Sequence, residues 1–333
     1  MKKTVLGSLV IGMMAVSLGV FIFFTTPANT LTMDVNPSIE ITTNRLNNVL
    51  SVEPINQDAK DFLENFKIRD KNLENVVNDL VDRMILTGYI SGGKDNLVML
   101  AVKDDNADPL LLDKVNTLIA AFLENKQIEA KVFNQTIAQN DANKNIASDY
   151  EISEGKLELM NKIVDKDDKV TIELLTSASL QTLIDKALIG HDEAIRIALE
   201  KSGGGTVVEF ELEQDDSRYE YEIKIIKDGM EYEVEIDAMT GEVLKFEADD
   251  DDYDDEDSIT IPTDELIGMD EAIRIALAKS VGGTVVKFEL DLDDSRYEYK
   301  IEIIKNGMEY EVEIDAMSGK VLKFEADDDD DYD

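Results

Sequence analysis

Asp192-Glu193-Ala194-Ile195-Arg196-Ile197-Ala198-Leu199 returns as Asp270-Glu271-Ala272-Ile273-Arg274-Ile275-Ala276-Leu277, an offset of 78 (192 to 270), and the correspondence runs without a gap to the paired Phe246 and Phe324. Each copy reads as a short helix, a glycine break and then strands. Ala194, Ile195, Ala198 and Leu199 fall on one helical face. Met230, Tyr232, Val234 and Ile236 alternate with Glu231, Glu233, Glu235 and Asp237, the pattern of a half-buried strand. Tyr219, Tyr221, Ile223 and Ile225 do the same before the turn Lys227-Asp228-Gly229, and Asp-Gly between two alternating runs is a strong hairpin signal. Met239-Thr240-Gly241 makes the next turn, and Leu244 and Phe246 complete the sheet. Two small α+β repeats, each a helix on an antiparallel sheet, are therefore expected at 190–248 and 267–326. A period this long in two copies predicts tandem domains on a linker.

Around the copies lie acidic runs, in a linker at 249–266 that opens with Asp249–Asp257 and in a tail at 327–333. Such runs repel themselves and solvate well. Asp249, Asp250, Asp251 and Asp252, with Asp327, Asp328, Asp329 and Asp330, offer oxygens to hard cations. They lack a spaced loop with a glycine and a closing glutamate, so diffuse, weak cation attraction is expected and no dedicated metal site. His191, just before the first repeat helix, corresponds to Met269 in the second copy and reads as a surface residue.

Upstream, 31–137 reads as a sheet covered by helices, a mixed α/β domain. Strands are expected at 31–35, 39–43, 49–54, 97–102 and 128–133. Leu73, Val76, Val77, Leu80, Val81 and Met84 recur at helical spacing within 71–86, and Leu112, Val115, Leu118, Ile119 and Phe122 within 109–125. Residues 138–189 read as a helical appendage, with 139–144 loop-like and helices at 156–164 and 171–189. At the start, Lys2 and Lys3 precede Val5–Phe24, 20 residues without a charge, long enough as a helix of about 30 Å to cross a bilayer. Residues 1–30 are thus expected to be a single-pass anchor with the N-terminus inside and the bulk outside. Release after cleavage near Ala28 is the alternative.

Composition narrows the function. The 333 residues include 73 acidic and 33 basic side chains, a formal charge of −40. Nucleic acid binding, which needs phosphate neutralisation, is excluded as an expectation. Basic proteins, cations or a basic wall polymer fit that charge. There is no cysteine, hence no disulfide, thiol catalysis or cysteine-linked lipid, and the single histidine argues against His-cluster metals and Ser-His-Asp catalysis. No cofactor is expected. Glu231 and Glu233 share a strand face pointing at solvent, which is not an acid–base arrangement.

Two resemblances cover most of the chain. Met33-Asp34-Val35-Asn36-Pro37-Ser38-Ile39-Glu40-Ile41, then Asn44 and Glu53-Pro54-Ile55-Asn56, resembles the extracytoplasmic middle domain of RsgI-type anti-sigma factors, and the likeness continues into Ser153-Glu154-Gly155-Lys156-Leu157. Each repeat resembles a PepSY domain in its Asp-Glu-Ala-Ile helix and in its Ile236–Leu244 and Ile314–Leu322 endings. The first resemblance implies self-cleavage between Asn36 and Pro37, with Asp34, Ser38 and Glu40 near enough in sequence to help; the competing reading is an ordinary turn. The second implies modulation of extracellular peptidases. RsgI-type proteins carry a cytoplasmic sigma-binding domain ahead of the membrane helix. Only four residues precede the apolar run here, so sigma-factor binding is not expected to carry over. The expected function is a non-enzymatic, membrane-anchored extracytoplasmic sensory or interaction protein, any autoproteolysis being single-turnover. The alternative is an extracellular peptidase inhibitor or folding modulator. The partner is expected to be an extracytoplasmic protein, a peptidase or a cell-wall component.

Overall fold

A computed structural model describes residues 24–91, 96–103, 111–128, 130–138, 140–215, 218–249, 261–262, 265–293, 296–305 and 308–327. The apolar run Val5–Phe24 lies outside them except for its last residue. Among the described residues no helix is long and apolar enough to cross a membrane. The acidic stretches fall almost entirely outside as well; of the cation-attracting aspartates, only the backbones of Asp249 and Asp327 are described, as strand ends. The chain divides into two compact units, Met1–Ala187 and Leu188–Asp333.

The first unit is built on five strands, β1 (Asn29–Asp34), β2 (Ser38–Thr43), β3 (Val49–Pro54), β4 (Leu97–Lys103) and β5 (Lys131–Ile137), ordered β3-β2-β1-β4-β5. The β4–β5 pair is parallel and the others are antiparallel. One face is covered by α1 (Gln57–Phe62), α2 (Leu73–Thr87) and α3 (Leu111–Asn125). Leu31 pairs with Val102 and Met33 with Leu100, and these side chains meet Val76, Leu80, Met84, Val115 and Ile119 in one core. Asn72 caps α2 by accepting from the Glu74 amide, and Gly88, at φ 81°, closes it in the left-handed conformation glycine tolerates.

The expected appendage is instead the second helical layer of this unit. It comprises α4 (Asp141–Asp149), α5 (Glu154–Lys166), α6 (Ile172–Leu175) and α7 (Leu180–Ala187). The stretch read as a loop at 139–144 contains the start of α4, because Asn140 accepts from the Ala142 and Asn143 amides. The single helix expected at 171–189 breaks into α6 and α7. At Gly155 of α5 an added Cβ would lie 2.8 Å from the Ala101 Cβ and 3.3 Å from the Met99 Cε. Met99 and Ala101 alternate with Val98, Leu100 and Val102, so α5 sits on the face opposite α2 and α3. This burial on both faces explains why β4 is a continuous apolar run.

The second unit contains α8 (His191–Ser202), β6 (Thr206–Asp215), β7 (Arg218–Lys227), β8 (Met230–Asp237) and β9 (Val243–Asp249), then α9 (Met269–Ser280), β10 (Thr284–Asp293), β11 (Arg296–Lys305), β12 (Met308–Asp315) and β13 (Val321–Asp327). Asp228 at φ 53° and Gly229 at φ 81° form the β7–β8 turn, as the Asp-Gly pair requires. Each repeat has its own helix and four strands, as expected of tandem domains, and the two are also joined edge to edge. Both repeats contribute to one eight-stranded sheet, β13-β12-β11-β10-β6-β7-β8-β9. At the seam Lys287 pairs with Glu211, Phe288 with Phe210 and Glu289 with Glu209. The two phenylalanines are fully buried and stack at 6.0 Å. Charge is arranged to suit the seam. Glu209 bonds Lys224 at 2.7 Å in the first repeat, whereas the corresponding pair in the second is inverted, Lys287 facing Glu302. Lys287 is thereby free to reach Glu211 at 3.3 Å; a glutamate there would set only carboxylates against each other.

Candidate functional site

The loop Val35-Asn36-Pro37 joins β1 to β2, with Asp34 and Ser38 directly paired at its base. Pro37 would push the residue before it into an extended, negative-φ backbone. Asn36 instead stands at φ 91°, a region that strains any residue with a Cβ by roughly 1–3 kcal/mol. The local preference that Pro37 sets is thus overridden. The strain is held from both sides: the Val35 amide donates to the Pro37 carbonyl at 3.1 Å, and the Ser38 amide donates to the Asn56 side chain at 3.2 Å. Asn56 simultaneously caps α1 by accepting from the Ala59 amide at 2.9 Å, which fixes the hairpin against a helix end.

Beneath the loop Asp34 is buried, 3% exposed, with Ser38 at 5% and Ser153 at 1%. Burial pushes its carboxyl above the usual carboxylate range. The hydroxyls of Ser38 and Ser153, the charge of Lys156 and the Thr32 hydroxyl pull it back without prevailing. No hydrogen bond of full geometry reaches either Asp34 oxygen or the Thr32 hydroxyl, so the desolvation of the carboxylate goes largely uncompensated. Burial lowers Lys156, and the nearby Asp34 charge only partly restores it. Ser153 is the cap of α5 and accepts from the Lys156 amide at 2.9 Å.

The structure thus brings together two stretches far apart in sequence, the loop of 34–38 and the α5 start at 153–157. Of the helpers expected, Asp34 and Ser38 lie at the loop. Glu40 stands further along β2, 3.9 Å from Lys103, which itself bonds Glu154 at 2.7 Å. Sequence reasoning quoted 153–157 without assigning it to the site. The signal was there in Ser-x-Gly-Lys: a cap residue, a glycine where the helix touches the sheet (Gln135 Nε2 donates to the Gly155 carbonyl at 2.8 Å), and a cation aimed inward.

The other marked residues are structural. Asp237 Oδ1 accepts from the Met239 and Thr240 amides at 3.0 and 2.8 Å, and Gly241 follows at φ 76°. In the second copy Asp315 accepts from the Ser318 amide at 2.7 Å, and the Ser318 hydroxyl and amide hold its carboxyl below the usual range. The repeat ending is a turn builder. His191 is not the free surface residue expected: it opens α8 and its ring stacks on Phe210 at 5.7 Å. Among the described residues no group of three His, Cys, Asp or Glu side chains is placed to hold a metal ion.

Residues 28–162 match the family model for the anti-sigma factor RsgI-like central domain, and residues 188–247 and 266–325 each match that of the peptidase propeptide and YPEB domain, PepSY. The chain is 27% identical over 173 residues to anti-sigma-I factor RsgI6 of Acetivibrio thermocellus, a match covering 48% of this chain and 22% of that protein. Anti-sigma-I factor RsgI4 of the same organism is 29% identical over 182 residues, 53% of this chain and 33% of that one. YkoJ of Bacillus subtilis is 36% identical over 126 residues, 37% of this chain and 67% of that protein. The chain therefore spans between about a fifth and a third of the length of these anti-sigma-I factors.

Proposed function

We propose that this chain, which belongs to the PepSY family and carries an anti-sigma factor RsgI-like central domain ahead of its two PepSY copies, is a non-enzymatic regulatory protein acting outside the cytoplasm. Val5–Phe24 anchors it to the membrane, and its partner is an extracytoplasmic protein, peptidase or wall component. The observation that carries the reading is the strained Asn36-Pro37 loop seated on a buried Asp34 in the RsgI-like domain.

In this reading the loop is a self-cleavage site. The Asn36 side-chain nitrogen attacks the Asn36 backbone carbonyl carbon. The carbon–nitrogen bond to Pro37 breaks, the proline nitrogen takes up a proton, and Asn36 is left as a succinimide. Backbone strain lowers the barrier by raising the starting state. The proton passes through Asp34: its carboxyl, when protonated, donates to the departing proline nitrogen and takes up the proton that the Asn36 nitrogen sheds as the ring closes, while the Ser38, Ser153 and Lys156 groups hold it in place. Cleavage does not by itself release the pieces, because β1 lies between β2 and β4 and pairs with both. Separation requires pulling β1 from the middle of the sheet, which makes the cut domain a latch that opens on load or on ligand. A protease added outside intact cells tests the topology. The expected result is loss of the PepSY repeats and retention of a membrane-bound N-terminal fragment; recovery of the intact protein from the cytosol overturns it.

The alternative, peptidase inhibition or folding modulation by the PepSY copies, gains support from the open edges of their shared sheet.

A further inference from the structure

The eight-stranded sheet ends on β9 at one side and β13 at the other, the same strand of each repeat. Strands at sheet edges present backbone donors and acceptors that another strand can complete. Both edges carry an apolar shelf of partly exposed side chains. Phe246, Leu244 and Met230 are 37%, 37% and 38% exposed, and Phe324 and Met308 are each 36% exposed. Phe246 stacks on Tyr232 at 5.8 Å with the Lys201 ammonium 5.3 Å from its ring. Phe324 stacks on Tyr310 at 5.8 Å with Lys279 at 5.2 Å. The same stacked arrangement thus recurs at both edges.

The reverse face of each edge is anionic. Lys245 is shared by Glu233, Glu235 and Glu247 at 2.7, 3.1 and 3.4 Å, and Lys323 by Glu311, Glu313 and Glu325 at 2.6, 3.7 and 3.2 Å. Three carboxylates around one ammonium leave an excess of negative charge. A second copy of this chain would bring the same excess to the junction and be repelled. An added strand has side chains alternating between the two faces.

We propose that β9 and β13 are two equivalent docking sites for an extended polypeptide in which apolar and basic residues alternate, the apolar ones on the Phe246 or Phe324 shelf and the basic ones toward the glutamates. Main-chain pairing gives affinity, the shelf fixes register, and the charge rejects acidic partners. The site is independent of the Asn36-Pro37 loop and of whether that bond breaks.

The test is calorimetric titration of the full chain at moderate salt with an eight-residue peptide of alternating Lys and Val. Two equal sites per chain are expected. Phe246→Asp and Phe324→Asp should each remove one site and the double variant both, while circular dichroism shows the sheet retained. If those variants unfold, Glu247→Lys with Glu325→Lys, both at exposed positions, should weaken binding by about tenfold at both sites. A peptide of the same composition with its valines grouped should bind at least about tenfold more weakly. Equal binding of the grouped peptide, binding that survives the double phenylalanine variant, or no binding at all overturns the proposal. So does dimerisation of the chain that the phenylalanine variants abolish, since the edges would then serve a second copy.

Discussion

Replacing Phe288 by Ala probes the seam between the repeats most sharply. The ring is fully buried, stacks on Phe210 at 6.0 Å, and sits at the centre of the three register pairs that join β10 to β6. Truncation forfeits the transfer energy of the ring, roughly 2–3 kcal/mol. Backbone pairing on both sides keeps the hole from collapsing, so a cavity term brings the loss to about 3–5 kcal/mol. That is a large part of the ~5–15 kcal/mol that stabilises a domain. The assay is urea unfolding of the full chain, read by circular dichroism and by tyrosine fluorescence, the chain having 10 tyrosines and no tryptophan. Hydrogen exchange on β7 and β11 reports each repeat separately. Both repeats should lose protection together, because Phe210 loses its cover when Phe288 is cut back. The double variant Phe210→Ala/Phe288→Ala should cost less than the sum of the singles by about 1 kcal/mol, since both empty the same space. A loss below about 1 kcal/mol, or a first repeat that keeps its wild-type midpoint while the second shifts, would refute the seam.

Asp34→Asn tests the buried acid by its pH dependence. From about pH 4 upward the unfolded chain releases a proton that the folded chain, with its raised Asp34, retains; wild-type stability therefore falls as pH rises until the folded value is passed. The variant should accordingly gain in Tm relative to wild type at pH 7 and not at pH 3.5, and a pH-independent difference would contradict the assignment. Gly155→Ala forces a Cβ to within 2.8 Å of the Ala101 Cβ, so α5 must shift, at about 1–3 kcal/mol, and exchange protection at Asp34 and Ser38 should drop; an unchanged Tm would show that α5 does not bear on the sheet there.

What could be read without the structure was what periodicity encodes. Leu73 to Met84 at helical spacing gave α2, and the alternation of Met230 to Ile236 gave β8, because each pattern reports one buried face of one element. The seam was not legible. Phe210 and Phe288 look like any inward strand residue, and three register pairs across the gap leave no local pattern; only the Glu209–Lys224 to Lys287–Glu302 inversion between copies hinted at it. The helix α4 hid because it is polar and buries only Ala147 along its length. At the loop, the backbone geometry was not legible in the sequence. A proline after Asn36 argues for extended backbone, and tertiary contacts through Asn56 override that local preference. The burial of Asp34 depends on α5, more than a hundred residues away along the chain, which no window around the loop contains.

Mass spectrometry of the purified full chain reads the state of the Asn36-Pro37 bond itself. A new N-terminus at Pro37 is expected, with a complementary fragment ending in a succinimide or its hydrolysis product at Asn36, the two fragments staying together under native conditions and parting in denaturant. Asn36→Ala should leave the chain whole. An intact wild-type mass after prolonged incubation of a sample that unfolds cooperatively would rule out self-cleavage and reduce Asn36-Pro37 to a strained turn.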